Sequence, residues 1–105
     1  MGDHQTAEFQ ERHGTRTLRV EIEGQVVHLT ILDGNSKQYA GSTDVSDVVQ
    51  LLQAENGHAA QLSSKTYAYQ LSLDGEYVTL NVDPHLQVTV EDFEELFPKP
   101  EDQPS

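Results

Sequence analysis

The sequence predicts an α+β fold: a two-layer sandwich in which an antiparallel sheet built from two β-hairpins packs against one main helix, with a short C-terminal helix added. Three observations predict it. Segments 16–32 and 66–82 each alternate apolar and polar residues around a turn containing glycine. Between them, 43–57 carries apolar residues at helical spacing. Leu, Ile, Val and Phe make up 26 of the 105 residues, and all but Phe9 lie between Leu18 and Phe97. The core material is therefore concentrated in one stretch, and a single domain over 16–97 is expected.

Residues 1–15 are polar, with only Ala7 and Phe9 able to anchor them. A disordered N-terminal segment is expected, or at most a frayed helix over Thr6–Arg12 stopped by Gly14.

The first hairpin is the sharpest local signal. Leu18, Val20 and Ile22 precede Gly24-Gln25, and Val27, Leu29 and Ile31 follow. Glycine at the first central position suits a two-residue type II′ turn. That turn sets Ile22 opposite Val27, Val20 opposite Leu29 and Leu18 opposite Ile31, so each pair is apolar on both sides. A slip of one residue would mix the faces. On the polar face Glu21 meets His28, and Arg19 meets Thr30. A second turn at Asp33-Gly34-Asn35 leads to a short third strand, Lys37–Ala40.

In 43–57, Val45, Val48, Val49 and Leu52 fall on one helical face. Thr43 or Asp44 can cap the start, since a short side-chain oxygen accepts from the free amides of the first turn. Asn56-Gly57 provides a stop, because glycine takes the left-handed conformation without a steric penalty. A connection over 58–64 follows, with Leu62 tucked beneath.

In the second hairpin, Asp74-Gly75 is taken as a type I′ turn. Leu71 then faces Val78, Tyr69 faces Leu80 and Tyr67 faces Val82, which makes Tyr67 and Tyr69 core residues and puts Tyr77 on the other face. Asp83-Pro84 turns the chain into a further strand, 86–90. Thr89 and Asp92 resemble a capping box for a short helix over 91–97, with Phe93, Leu96 and Phe97 on one face. Pro98 ends it. Residues 98–105, with three prolines and no apolar residue, are expected to form a disordered acidic, proline-rich tail.

Composition narrows the function. The net charge is −12, which repels nucleic acid and anionic lipid, so neither is an expected direct partner. The last fifteen residues are the densest in charge, with Glu91, Asp92, Glu94, Glu95, Glu101 and Asp102 against Lys99. The absence of cysteine excludes a disulfide framework, a thiolate zinc site and a thiol nucleophile. No apolar run is long enough to span a bilayer, and the polar N-terminus does not read as a signal peptide, so a cytoplasmic location is expected.

Chemical motifs are sparse. The histidines His4, His13, His28, His58 and His85 lack the spacing of a metal pair. The serines include no nucleophile elbow, and no glycine-rich phosphate loop is present. Asp33, Asp74 and Asp83 stand beside glycine or proline, where turn chemistry accounts for them. Glu91, Asp92, Glu94 and Glu95 form a charged helix face, since ordinary solvated acids lack the unequal environments that acid–base catalysis needs. No motif assigns the chain to a family, and no cofactor is expected.

The expectation is a non-catalytic acidic protein-interaction module, an accessory, adaptor or inhibitor, using Glu91, Asp92, Glu94 and Glu95 toward a protein partner with a basic surface. Its alternative is an acidic mimic of nucleic acid occupying a basic surface of its partner. The sequence leaves the oligomeric state open, a homodimer included.

Overall fold

The computed structural model describes residues 4–53 and 59–97. In these residues the chain is a mostly-β α+β protein with two four-stranded antiparallel sheets, one nine-residue helix and a short C-terminal helix. The first sheet is a meander of β1 (His4–Gln10), β2 (Thr17–Glu23), β3 (Val26–Asp33) and β4 (Ser36–Asp44). Helix α1 (Val45–Gln53) leads to a second meander of β5 (Ala59–Gln61), β6 (Gln70–Asp74), β7 (Tyr77–Leu80) and β8 (Leu86–Thr89), followed by α2 (Val90–Glu94).

The first hairpin has the expected register: Ile22 pairs with Val27, Val20 with Leu29, Leu18 with Ile31, and Glu21 with His28. Leu18, Val20, Val27 and Leu29 are fully buried. The third strand is longer than Lys37–Ala40. It runs from Ser36 to Asp44 with a bulge at Ala40, where the register slips between Leu29 and Thr30.

The N-terminal segment differs from expectation. His4–Gln10 is neither a frayed helix nor irregular but a strand paired along β2. Two side chains carry it: Ala7 lies opposite Val20 and Phe9 opposite Leu18, on the inward face. The ring of Phe9 then meets Phe93, 5.7 Å between centroids. Glu8 and Arg19, paired across the strands, form a 3.0 Å ion pair outside.

The second hairpin is shifted from its expected register by two residues. Leu71 pairs with Leu80 and Leu73 with Val78, so the turn is Gly75-Glu76 rather than Asp74-Gly75. Gly75 has φ +63° while no non-glycine residue among the described residues has positive φ, which is the type II′ arrangement that Gly24 and Gly34 also adopt. A shift of two preserves which side chains face inward, and Leu71, Val78 and Leu80 are buried. The core role expected for Tyr67 is overturned. The strand begins only at Gln70, Tyr67 is exposed and Tyr69 half-buried, and their rings stack at 4.8 Å. Within the 58–64 connection, Ala59–Gln61 forms β5, while Leu62 is buried as expected.

The layering differs too. Instead of one sheet covered by a helix, each hairpin nucleates its own sheet, and residues from both sheets share one apolar core. The physical reason is area. A helix of nine residues is about 13.5 Å long, whereas eight strands at about 4.8 Å spacing span roughly 38 Å. The sheets bury each other's apolar faces, and α1 packs beside β4, β5 and β6. Its most buried residues are Val48 and Leu51, with Val45, Val49 and Leu52 partly covered, so the inward face is rotated slightly from the expected one. The proposed stop at Asn56-Gly57 and the tail 98–105 lie outside the described residues.

Candidate functional site

Helix α2 forms where the sequence predicts a short helix but is shorter than 91–97: it spans Val90–Glu94, with Glu95 as its C-cap and Leu96 and Phe97 in the turn beyond. Phe93 and Phe97 are buried in the core, their rings 5.1 Å apart, and Leu96 is partly buried. Thr89 is the N-cap, but its hydroxyl donates to the Asp92 carboxylate at 2.9 Å rather than accepting from a helix amide. Glu91, Asp92 and Glu95 are exposed and Glu94 is half-buried. The structure therefore holds the four acids on one short, anchored segment and does not gather them into an enclosed cluster.

A second feature went unread in the sequence. The connection 11–16 carries two arginines that fasten it to the second sheet. Arg12 lays its guanidinium 4.0 Å above the Tyr77 ring, and its amide donates to the Gln87 carbonyl at 2.7 Å. Arg16 donates to the buried Glu11 carboxylate through its backbone amide, Nε and Nη2, at 2.8–2.9 Å, and to the His85 carbonyl at 3.1 Å. The Arg16 hydrogen bonds hold the Glu11 carboxyl below its ordinary pKa, against the opposing effect of burial. The same bonds raise Arg16. This pair borders an open groove of about 520 Å³ together with Asp33, Tyr69 and Asp83. A carboxylate bound this fully stays ionised at neutral pH, which makes it a fastening and not a proton donor. Nothing in an acid and an arginine five residues apart in a polar segment signals such burial.

A third feature lies between β4 and the segment leading to β6. Lys37, Tyr39, Ser64, Lys65 and Tyr67 border a groove of about 570 Å³. Tyr39 and Tyr67 are 45% and 38% exposed, the largest aromatic surfaces offered to solvent among the described residues. The Tyr39 hydroxyl is fixed by His28 Nδ1 at 2.8 Å, and Tyr67 is fixed by its stack on Tyr69, whose hydroxyl accepts from Gln38 at 2.9 Å. Both rings are thus held in place while remaining exposed.

No group of three or more histidine, cysteine, aspartate or glutamate residues placed to hold a metal occurs among the described residues. No helix among them is long and apolar enough to cross a membrane. Compared with protein-family models, curated proteins and solved structures, the chain matches none.

Proposed function

We propose that the chain is a non-catalytic protein-interaction module that presents the acidic face of α2 to a basic surface on a protein partner. One observation carries this reading: Phe93 and Phe97 are locked in the core while Glu91, Asp92 and Glu95 of the same segment stand in water. Charges held on an anchored helix need little further ordering on binding, which lowers the entropic cost of association. They steer a cationic partner and raise its association rate more than they slow its departure. The net charge of −12 adds a long-range field of the same sign and supports a protein partner, rather than nucleic acid or an anionic membrane.

The experiment is affinity capture with the wild-type chain and with the double charge reversal Glu91→Lys/Glu95→Lys, each at low and high salt. The reading requires a partner retained by wild type at low salt, released at high salt, and not retained by the variant. Equal retention by the variant overturns the role of α2.

A further inference from the structure

We propose that the groove between the outer edge of β4 and residues 63–67 is a second binding site, separate from α2, which takes an extended acidic peptide as an added strand.

The edge comes first. In a two-residue hairpin the residues flanking the turn form a hydrogen-bonded pair. Asp33 and Ser36 are that pair, so Ser36 and Gln38 direct their backbone groups toward β3, while Lys37 and Tyr39 direct theirs outward. The bulge at Ala40 resets the alternation so that Ser42 faces outward, and its outward amide and carbonyl are taken by Ser63 at 3.0 and 2.7 Å. The bridge stops there. β5 is three residues long, and among the described residues no backbone partner meets the outward groups of Lys37 and Tyr39. An open edge of this kind is a template for strand addition.

Charge selects the occupant. Each of the three arginines is engaged: Arg12 on Tyr77, Arg16 with Glu11, Arg19 with Glu8. Lys37 and Lys65 have no ion-pair partner among the described residues, and both border this groove. Among the described residues of a chain of charge −12, the two lysines without an ion-pair partner thus stand together beside its open edge. An extended peptide with acids at alternate positions places carboxylates about 6.8 Å apart on one face, within reach of flexible lysines. Tyr39, two residues from Lys37, lies on the same sheet face and flanks the peptide's acids with its exposed ring. A second copy of this chain fits less well, because pairing β4 with β4 about a two-fold axis brings the Lys37 stretch against itself, like charge on like charge.

The test uses the full chain and the peptide acetyl-(Glu-Val)₃-amide, followed by amide chemical shifts. Binding is expected to move Lys37, Tyr39, Lys65 and Tyr67. Lys37→Glu/Lys65→Glu is expected to weaken binding at least tenfold, as is methylation of alternate peptide nitrogens, a probe that needs no change to the protein. The Glu91→Lys/Glu95→Lys variant is expected to bind the peptide as wild type does, which separates this proposal from the role of α2. Equal binding of the N-methylated peptide, shifts confined to other surfaces, equal binding of a (Lys-Val)₃ peptide, or pairing of two copies through β4 without peptide binding would each overturn it.

Discussion

Glu11 and Arg16 are joined by three hydrogen bonds of 2.8–2.9 Å, with the carboxylate buried and the guanidinium reaching on to the His85 carbonyl. The pair closes the β1–β2 connection and ties it to the loop before β8. Removing one partner of a deeply buried pair costs about 3–5 kcal/mol. Here the pair borders a groove, so we expect Glu11→Gln to cost about 2–3 kcal/mol at neutral pH. The pH dependence has a definite sign. The folded pKa of Glu11 lies below its ordinary value of 4.5, so its contribution is complete above the unfolded value and is lost as pH falls through the folded one. The hydrogen bonds to Glu11 hold Arg16 above its ordinary value, so it stays charged throughout the range in which carboxylates titrate and adds no pH dependence there. In urea denaturation, the gap between wild type and Glu11→Gln should be full at pH 7 and should narrow progressively as pH falls below 4.5 toward the lowered folded value. An equal gap at pH 7 and pH 3 would mean that Glu11 is not the titrating group.

Gly41 marks where the first sheet meets the chain running toward the second. It has φ +135°, and a Cβ there would stand 2.9 Å from Leu62 Cβ and 3.0 Å from the Ser63 carbonyl oxygen. Backbone strain costs of order 1–3 kcal/mol, and overpacking about as much again. Gly41→Ala should therefore lose about 2–4 kcal/mol and open the Ser42–Ser63 bridge. Faster amide exchange at Ser42 and Ser63 than in wild type would register the opening, and unchanged protection there would refute it.

How far the sequence discloses this fold varies from element to element. The first hairpin is legible because turn chemistry and apolar alternation independently demand the same pairs. In the second, alternation reveals the inward face but cannot distinguish a shift of two residues, and Asp74-Gly75 competes with Gly75-Glu76 for the turn. β1 is hidden because Ala7 and Phe9 are its only inward apolar residues, and Phe9 acquires its partner, Phe93, from the far end of the chain. The acidic face of α2 is legible from helical spacing alone. The basic groove is not, since Lys37 and Lys65 come together only in the folded chain, through the Ser42–Ser63 bridge and the Gln38–Tyr69 hydrogen bond.

The register of the second hairpin makes a simple contrast. With a type II′ turn on Gly75-Glu76, Gly75 alone needs positive φ, so Gly75→Ala should cost about 1–2 kcal/mol, while Asp74→Ala should cost less than about 0.5. Had Asp74 held the first central position of a type I′ turn, its left-handed backbone would make both substitutions count. Cross-strand proton contacts should join Leu71 to Leu80, and a Leu71–Val78 pairing would refute the assignment.

Leu29 and Leu71 are fully buried on opposite sheets of one core. Each truncation to alanine should cost about 2–5 kcal/mol. Values below about 1 kcal/mol in chemical denaturation would mean that the shared core is wrong, because that range belongs to exposed positions.

Phe93 ties the two ends of the chain together: it is fully buried, 5.7 Å from the Phe9 ring and 5.1 Å from Phe97. Truncating a buried phenylalanine typically costs about 3–5 kcal/mol, a large share of the roughly 5–15 kcal/mol that holds a small domain folded. The loss should not be spread evenly. β1 is an edge strand whose inward apolar side chains are Ala7 and Phe9, so without Phe93 it keeps its ladder to β2 but loses its main packing contact. Phe93→Ala is therefore expected to speed amide exchange along His4–Gln10 more than along β3, which is held on both sides. Glu95→Lys, on the exposed side of the same segment, should change stability by less than about 0.5 kcal/mol while reversing the charge that α2 offers. If Phe93→Ala leaves β1 protection unchanged, the contact between the chain's two ends does not support the strand. If Glu95→Lys destabilises as strongly as Phe93→Ala, the acids of α2 belong to the fold and are not free to serve a partner.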